Sequence, residues 1–378
     1  MDYESFKAEI ASNIKDYLPL DYADSNVSLQ TVQKNNESLD AITITSPDSN
    51  VSPTIYLNSF FEEYEAGKSM DDILTKIADV RVEHEVAKDF DVSRITDFDQ
   101  VKNQIAGRIV GIEDNAELLS QRPHEVMDDL AVTYCVMLGE DMNGSMSVPV
   151  TYQLMEAWGV TQPELQALAK ENLSELTPST FKSMNEVMAE MMLPQMIEDM
   201  GGDREAAQQM LEAMMPPEEK MFVLSNEQKL NGATALLDDK MMEQIAERIG
   251  GDFFILPSSI HETLIVPVDA GMELHDLEMM VQEVNATQVA PQDRLSDHVY
   301  NYDAETHEVF RADRAEEHQQ TKENAKAEKE NPKVEKTEKA KDDKAITIAD
   351  RMKAGKEKMD AQVPKPKDSA KAKETVIS

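Results

Sequence analysis

Three short polar stretches contain the side chains that could do chemistry. They are "RPHEVMDD", "PSSIHE" and "SDHVY", with the candidates His124, Asp129, Ser258, His261, Glu262, Asp297 and His298. A histidine beside a carboxylate can act as a general base or a metal ligand, because its pKa lies near neutrality and the carboxylate fixes its tautomer. If the stretches converge, His124, His261 and His298 could bind a metal together with Asp129 or Glu262. No two of these histidines lie four residues apart, so their spacing does not require such a site.

The stretch "PSSIHE" has two further interpretations. Ser258 and His261 are the nucleophile and base types of a serine hydrolase, but they are three residues apart and nothing in the sequence places an oxyanion hole beside them. In the alternative, Pro257 ends a strand, the serine hydroxyls bond to loop backbone groups, and His261 and Glu262 anchor the turn. Both interpretations stay open at this point.

Several well-defined enzyme motifs are absent from the sequence. It contains no G-x-x-x-x-G-K-S/T, H-E-x-x-H, C-x-x-C or G-x-S-x-G, the patterns of phosphate loops, zinc sites, redox sites and nucleophile elbows. The single cysteine, Cys135, excludes a disulfide framework or a multi-cysteine metal site within this sequence. We therefore expect no cofactor, and the sequence favours a protein without enzymatic activity.

The charge is large and unevenly distributed. The formal net charge is −37; residues 1–310 contain 19 Lys and Arg against 59 Asp and Glu, whereas residues 311–378 contain 18 against 15. Such an acidic body repels phosphate backbones. We expect no direct nucleic-acid binding by residues 1–310.

Neither a membrane segment nor a secretory signal is predicted. No run approaches the roughly 18 apolar residues that a bilayer span needs. The N-terminus, "MDYESFKAEIASNIKDY", lacks the basic region and apolar stretch of a signal peptide. Together with the single cysteine, these features predict a cytoplasmic protein without membrane association.

Residues 220–310 have the clearest pattern of elements. The runs "KMFVLS", "DFFILP" and "TLIVPV" predict strands, and "DHVYNYDAETHEVFRA" predicts a final strand or hairpin. The runs "ATALLDDKMMEQIAERIG" and "GMELHDLEMMVQEVNAT" predict helices. The order β-α-β-β-α-β is that of a ferredoxin-like unit, with both helices on one face of an antiparallel sheet.

Residues 1–175 predict an N-terminal α/β half that packs with this unit, so the fold class is α+β. Phe6, Ile10 and Ile14 recur at helical spacing. The alternating runs "NVSLQTVQKN" and "ESLDAITITS" predict a hairpin whose turn contains two asparagines.

A methionine-dense segment, residues 176–219, separates the two halves. Ten of the 24 methionines lie between residues 184 and 221, at spacings that suit helices. Such helices could form an adaptable docking groove or a mobile lid. Alternatively, they fill the core or form a helical hairpin against the sheet.

Residues 311–378 predict a disordered tail. The segment is rich in Lys, Glu and Ala and has too few apolar residues to offset its ordering entropy. A weakly apolar stretch predicts a short helix over residues 346–360. This stretch could fold on a partner or remain solvated without one.

Four long motifs resemble a known family. "PTIYLNSFFEEYEAGKSMDDIL", "RPHEVMDDLAVTY", "DFFILPSSIHETLIVP" and "VNATQVAPQDRLSDHVYNYD" are similar to a family of Firmicutes proteins, the 5688 domain-of-unknown-function family, over roughly residues 3–305. The resemblance implies no activity. It does imply an association with mobile genetic elements, beside which such proteins are encoded.

These observations lead to three functional hypotheses. The first is a cytoplasmic accessory protein that binds a protein partner through the methionine-rich helices or the tail. The second is a hydrolase or metal-dependent enzyme whose histidine stretches converge in one pocket. The third is an acidic mimic of nucleic acid.

Overall fold

The computed structural model describes residues 1–46, 52–84, 93–141, 144–215 and 220–330. Within these ranges the strands form three antiparallel sheets, which we call A, B and C in chain order. Helices pack on all three, so the predicted α+β class is confirmed. None of the described helices is both long and apolar enough to cross a bilayer.

Sheet A forms as the alternating pattern predicts. Asn36, in the turn between its first two strands, has a positive φ of 58°, which asparagine tolerates well. Phe6 and Ile10 of the N-terminal helix and Ile14, which directly follows it, are fully buried against the sheet. The elements are α1 (Tyr3–Asn13), β1 (Asn26–Lys34), β2 (Glu37–Thr45), β3 (Thr54–Tyr56), α2 (Asn58–Glu65) and α3 (Met70–Glu83).

Sheet B is built around one long strand that pairs with the other three strands of the sheet. The polar stretch "RPHEVMDD" contributes a short strand and the hairpin turn that follows it. The elements are α4 (Ser93–Thr96), α5 (Phe98–Val101), β4 (Ile105–Gly111), α6 (Ala116–Gln121), β5 (His124–Met127), β6 (Leu130–Asp141), β7 (Gly144–Pro149), α7 (Tyr152–Trp158) and α8 (Gln162–Leu176).

Sheet C contains the predicted βαββαβ order, preceded by one further strand, β8. The last predicted run, for which a strand or a hairpin was expected, forms the β12–β13 hairpin. The elements are β8 (Ser179–Ser183), α9 (Met184–Asp199), α10 (Arg204–Met214), β9 (Phe222–Asn226), α11 (Asp239–Ile249), β10 (Phe253–Leu256), β11 (Thr263–Pro267), α12 (Leu274–Thr287), β12 (Tyr300–Asp303), β13 (Glu308–Arg311) and α13 (Ala315–Glu330).

The arrangement of sheet C differs from the ferredoxin-like prediction. Its strand order is β13-β12-β10-β11-β9-β8, so the β10–β11 hairpin lies at the centre of the sheet. Ile245 of α11 packs with Ile255, whereas Leu277 of α12 packs with Leu256. Because neighbouring residues of a strand face opposite sides, the two helices cover opposite faces. The prediction that both lie on one face was wrong.

Connection handedness explains this difference. With the β10–β11 hairpin at the centre, the connection from β9 to β10 and the connection from β11 to β12 run in the same direction across the sheet. The strands from which they start, β9 and β11, are antiparallel. Two right-handed crossovers then require helices on opposite faces. The uninterrupted apolar runs of β10 and β11 fit strands that are covered on both sides.

Sheets B and C share the largest core. Tyr134 of β6 and Leu165 of α8 belong to the same buried cluster as Phe222 and Ile255 of sheet C. Residues Met1–Gln319 form one compact unit. The N-terminal half therefore packs with the βαββαβ half as predicted, while a boundary at residue 175 stays a prediction.

Ordered contacts continue beyond residue 311, where the tail was predicted to begin. Ala312 is buried, and the ring of His318 stacks on Phe310 with centroids 3.8 Å apart. The prediction of disorder was therefore wrong for the first residues after 311. The predicted helix over 346–360 lies outside the described residues.

Candidate functional site

The β5–β6 hairpin carries its two turn residues, Asp128 and Asp129, to the edge of sheet C. Asp128 has a positive φ of 56°. Its carboxylate accepts hydrogen bonds from the backbone N–H of Arg311 at 2.9 Å and from Nη1 of Arg314 at 2.7 Å. The β5–β6 hairpin of sheet B is thus bonded to the end of β13 and to the residues just after it.

Asp129 accepts hydrogen bonds from three side chains of one short segment. The donors are Ser296 Oγ at 2.8 Å, His298 Nδ1 at 2.9 Å and the hydroxyl of Tyr300. The three donors are every second residue of the segment 296–300, and all three reach the same carboxylate. We call Asp129 and its three donors the Asp129 cluster.

The cluster keeps Asp129 ionised. Burial raises the pKa of the Asp129 carboxyl, but the hydrogen bonds from Tyr300, Ser296 and His298 outweigh burial and lower the pKa below its ordinary value. Burial, reinforced by the neighbouring carboxylate, raises the pKa of Tyr300, which therefore stays a neutral donor. Arg311 adds a positive charge 4.0 Å from Asp129.

A cavity of about 480 Å³ opens beside this cluster, and we call it the Asp129 cavity. Three of the predicted site residues line it: Asp129, Asp297 and His298. Asn285 also lines it and is 3% exposed. The amide nitrogen of Asn285 donates to Ser296 O at 3.0 Å and to Asp297 Oδ1 at 2.6 Å, while its oxygen has no hydrogen-bond partner within the described residues.

The other predicted histidines form separate contacts. His124 pairs with Thr133, whereas Met127 pairs with Leu130 at the end of the hairpin. Three residues of a strand span about 10 Å, so His124 lies about that far along β5 from the hairpin turn. Its Nδ1 lies 2.9 Å from the carbonyl oxygen of Arg122. His261 Nδ1 accepts from the backbone N–H of Asn231 at 3.1 Å.

The stretch "PSSIHE" is held by the segment that leads to the Asp129 cluster. Leu295 N–H donates to Ser258 O at 3.2 Å, and Ile260 N–H donates to Asp293 O at 2.8 Å. His261 Nε2 lies 3.3 Å from Asp293 Oδ1, and Glu262 is exposed. These contacts support the interpretation of this stretch as a structural turn.

The predicted residues do not assemble a metal centre. Among the described residues, no three His, Cys, Asp or Glu side chains are placed to hold a metal ion. The hypothesis that His124, His261 and His298 share a metal therefore gains no support from their positions.

Sequence reasoning missed Ser296, Tyr300 and Asn285. The first two had a signal, because Ser296, His298 and Tyr300 alternate in "SDHVY" as the residues of one strand face do. Asn285 had none, because a single asparagine within a helical pattern gives no sign that it is buried.

The Asp129 cluster can do one kind of chemistry. A carboxylate on Nδ1 orients the imidazole and leaves Nε2 available as a general base. A serine nucleophile is not part of the arrangement, because Ser296 donates to Asp129 and its oxygen lies 3.4 Å from the same nitrogen, Nδ1. The same contacts also join sheet B to sheet C.

A second candidate region is the helical hairpin formed by α9 and α10. Helix α9 contains no buried residue, and α10 buries only Ala207 and Leu211. The most exposed methionines of the pair are Met191, at 72%, and Met214, at 60%. The hairpin thus presents apolar side chains to solvent.

Comparison with known proteins gives a family but no activity. The chain matches the model of DUF5688, a family of unknown function, over residues 3–304. No curated protein and no solved structure matches it significantly. Because the match covers most of the chain, the protein belongs to the DUF5688 family of unknown function.

Proposed function

We propose that the protein is an interaction protein that binds a basic amphipathic helix of a protein partner on the α9–α10 hairpin. One observation carries the proposal: nine of the sixteen residues of α9 are apolar, five of them methionine, yet the helix buries none of them. Surface apolar groups at this density mark binding sites more often than they mark ordinary surface.

Methionine suits this role because its side chain is unbranched, flexible and polarisable. Met188 and Met191 lie three residues apart on α9, and Met210 and Met214 lie four apart on α10, so each pair shares a helix face. Surfaces of this kind adapt to apolar side chains of several shapes.

The charge of the hairpin selects the partner. Between residues 184 and 215 the sequence has seven acidic residues and one basic residue, Arg204. An apolar surface surrounded by carboxylates complements a helix with one apolar face and lysines or arginines on the other. An acidic partner helix would be repelled.

The hairpin is preorganised for binding. Ser183 and Glu186 form a capping box at the start of α9, with bonds of 2.6 and 3.2 Å between side chains and backbone. Asp203 caps α10, and Gly201 and Gly202 adopt positive φ angles in the connection. A helix pair with fixed ends loses less conformational entropy on binding than a flexible segment does.

The test is a titration of the full chain with a labelled peptide of leucines and lysines at amphipathic helical spacing. About 18 residues are needed, because shorter isolated helices are marginal in water. We expect the double variant Met188→Gln, Met191→Gln to weaken binding at least about tenfold, or ~1.4 kcal/mol. Met279→Gln is the matched control, because Met279 is 50% exposed on α12.

Two results would contradict this function. One is equal loss of binding in the α9 variant and in Met279→Gln, which would show general hydrophobic adsorption. The other is equal binding of a leucine–glutamate peptide of the same spacing, which would remove the role of the acidic residues.

The proposed setting of this interaction is the cytoplasm. The single cysteine, Cys135, is buried and unpaired, as is usual in reducing compartments. The resemblance to proteins encoded beside mobile genetic elements makes proteins of such elements the first set to screen for a basic amphipathic helix.

A second candidate function, general-base hydrolysis, is favoured by the Asp129–His298 pair. His298 is 40% exposed, so its Nε2 can reach a ligand in the Asp129 cavity. A panel of nitrophenyl esters and phosphates tests this function. Turnover that is lost in His298→Asn and kept in His124→Asn would support it, whereas equal turnover in both variants would exclude it.

A further inference from the structure

A second cavity lies between sheet B and the β1–β2 hairpin. Its volume is about 270 Å³, and strands β4, β6 and β7 contribute to its wall together with the end of β1. Asn231 and Ile260 line it from the side of sheet C. We call it the Arg122 cavity, after one of the residues that line it.

The charge of this cavity is opposite to that of the chain. Lys34, Arg108 and Arg122 line it, and none of its lining residues is an aspartate or glutamate. The whole sequence has twice as many acidic residues as basic ones, 74 against 37. A cavity lined by three basic residues and no acidic one therefore differs from the rest of the chain. Burial raises the pKa of the Cys135 thiol in the same wall, so the thiol adds no negative charge.

Neither guanidinium group in this cavity is paired with a carboxylate within the described residues. Arg108 donates to the carbonyl of Gly107 at 3.0 Å and to the sulfur of Met137 at 3.0 Å, and a thioether is a weak acceptor. The Arg122 side chain forms no hydrogen bond and no ion pair with any residue that the structure describes. Burial lowers the pKa of Arg122, because no carboxylate compensates for the lost solvation.

We propose that the Arg122 cavity binds a small dianionic oxyanion of the phosphate class. Guanidinium groups bind phosphate oxygens through two parallel N–H donors, and three positive charges suit a dianion better than a single carboxylate. Thr133 and Ser147 place hydroxyl groups in the same lining. The volume lies below that of typical drug-sized ligand sites, so the ligand is a free ion or a small phosphate ester rather than a polymer.

The experiment titrates inorganic phosphate into the full chain in a phosphate-free buffer, with sodium chloride keeping the ionic strength constant. Calorimetry and thermal unfolding report binding. We expect a saturable heat and a rise in Tm with phosphate, a similar response to sulfate, and a much weaker one to acetate. Arg122→Gln should reduce phosphate affinity at least tenfold, and Arg204→Gln, an exposed arginine on α10, should leave it unchanged.

A stability measurement distinguishes an arginine that binds a ligand from one that only stabilises the fold. In phosphate-free buffer Arg122→Gln should be at least as stable as the wild type, because it removes an unpaired, partly buried charge. Lys34 is exposed, so Lys34→Gln preserves the fold and should weaken phosphate binding several-fold. The proposal is overturned if phosphate acts no more strongly than chloride, if Arg122→Gln binds phosphate as the wild type does, or if Arg122→Gln loses stability without phosphate.

Discussion

Helices α9 and α11 show that apolar content does not decide burial. Nine of the sixteen residues of α9 are apolar, against five of the eleven of α11. Yet α11 buries Met242, Ile245 and Ala246 in the largest core, while α9 buries none. The difference follows from position, because α11 packs on the central strands of sheet C and α9 follows its terminal strand, β8.

The two cavities also differ, in how well their charged side chains are paired. In the Asp129 cluster, three donors satisfy one carboxylate. In the Arg122 cavity, Arg108 donates to one carbonyl and one thioether, and neither guanidinium group pairs with a carboxylate within the described residues. The satisfied carboxylate joins sheets B and C, whereas the arginines without a carboxylate partner line the cavity to which we assign an anion.

Matched methionine substitutions should give the largest contrast. Met242→Ala removes a side chain that is 2% exposed and should lower the free energy of unfolding by about 2–5 kcal/mol. Met191→Ala, at a position that is 72% exposed, should change it by no more than about 0.5 kcal/mol. Urea unfolding of both variants measures the difference. Similar losses in the two variants would mean that α9 is part of the core, and the comparison would fail.

Removal of the Asp129 charge should have a smaller effect. Asp129→Asn places an amide against three donors and should cost about 1–3 kcal/mol of unfolding free energy. Asp114→Asn is the control, because Asp114 is exposed in the same cavity and should stay within about 0.5 kcal/mol of the wild type. Equal stability of the two variants would show that the cluster does not join sheets B and C.

The smallest expected effect is the pH dependence of the stability that Asp129→Asn loses. Hydrogen bonds to Asp129 lower its pKa in the folded state, so its contribution is complete above the ordinary carboxyl pKa of about 4 and disappears as the pH falls through the folded value. The stability difference between wild type and Asp129→Asn should therefore shrink between about pH 5 and pH 3. A difference that stays constant over this range would show that ionisation of Asp129 is not the cause.

Much of the fold could be predicted from periodicity. The helix that buries Phe6 and Ile10, the sheet A hairpin and the βαββαβ order all follow from local patterns. The strand order of sheet C could not be predicted, because the same element order permits the β10–β11 hairpin at the centre or at an edge. That choice depends on packing between residues distant in sequence.

The candidate site was predictable only in part. Asp129, Asp297 and His298 do line one cavity, whereas His124 and His261 make separate contacts. Asp129 reaches the other two residues only because the β5–β6 hairpin meets sheet C at this point. Asp129 and its donor Ser296 are 167 residues apart in the sequence. No spacing rule covers such a contact. The Arg122 cavity was missed because nothing in the sequence places Lys34 and Arg108 beside Arg122, the first residue of "RPHEVMDD".

The most direct test of the α9–α10 hairpin is a methyl NMR titration of full-length protein labelled at the methionine methyl groups. Adding the leucine–lysine peptide should shift the signals of Met188, Met191, Met210 and Met214, because the peptide covers them. The signals of Met242, in the core, and Met279, exposed on α12, should not move. Shifts at Met279, or none at the four hairpin methionines, would contradict the proposed binding surface.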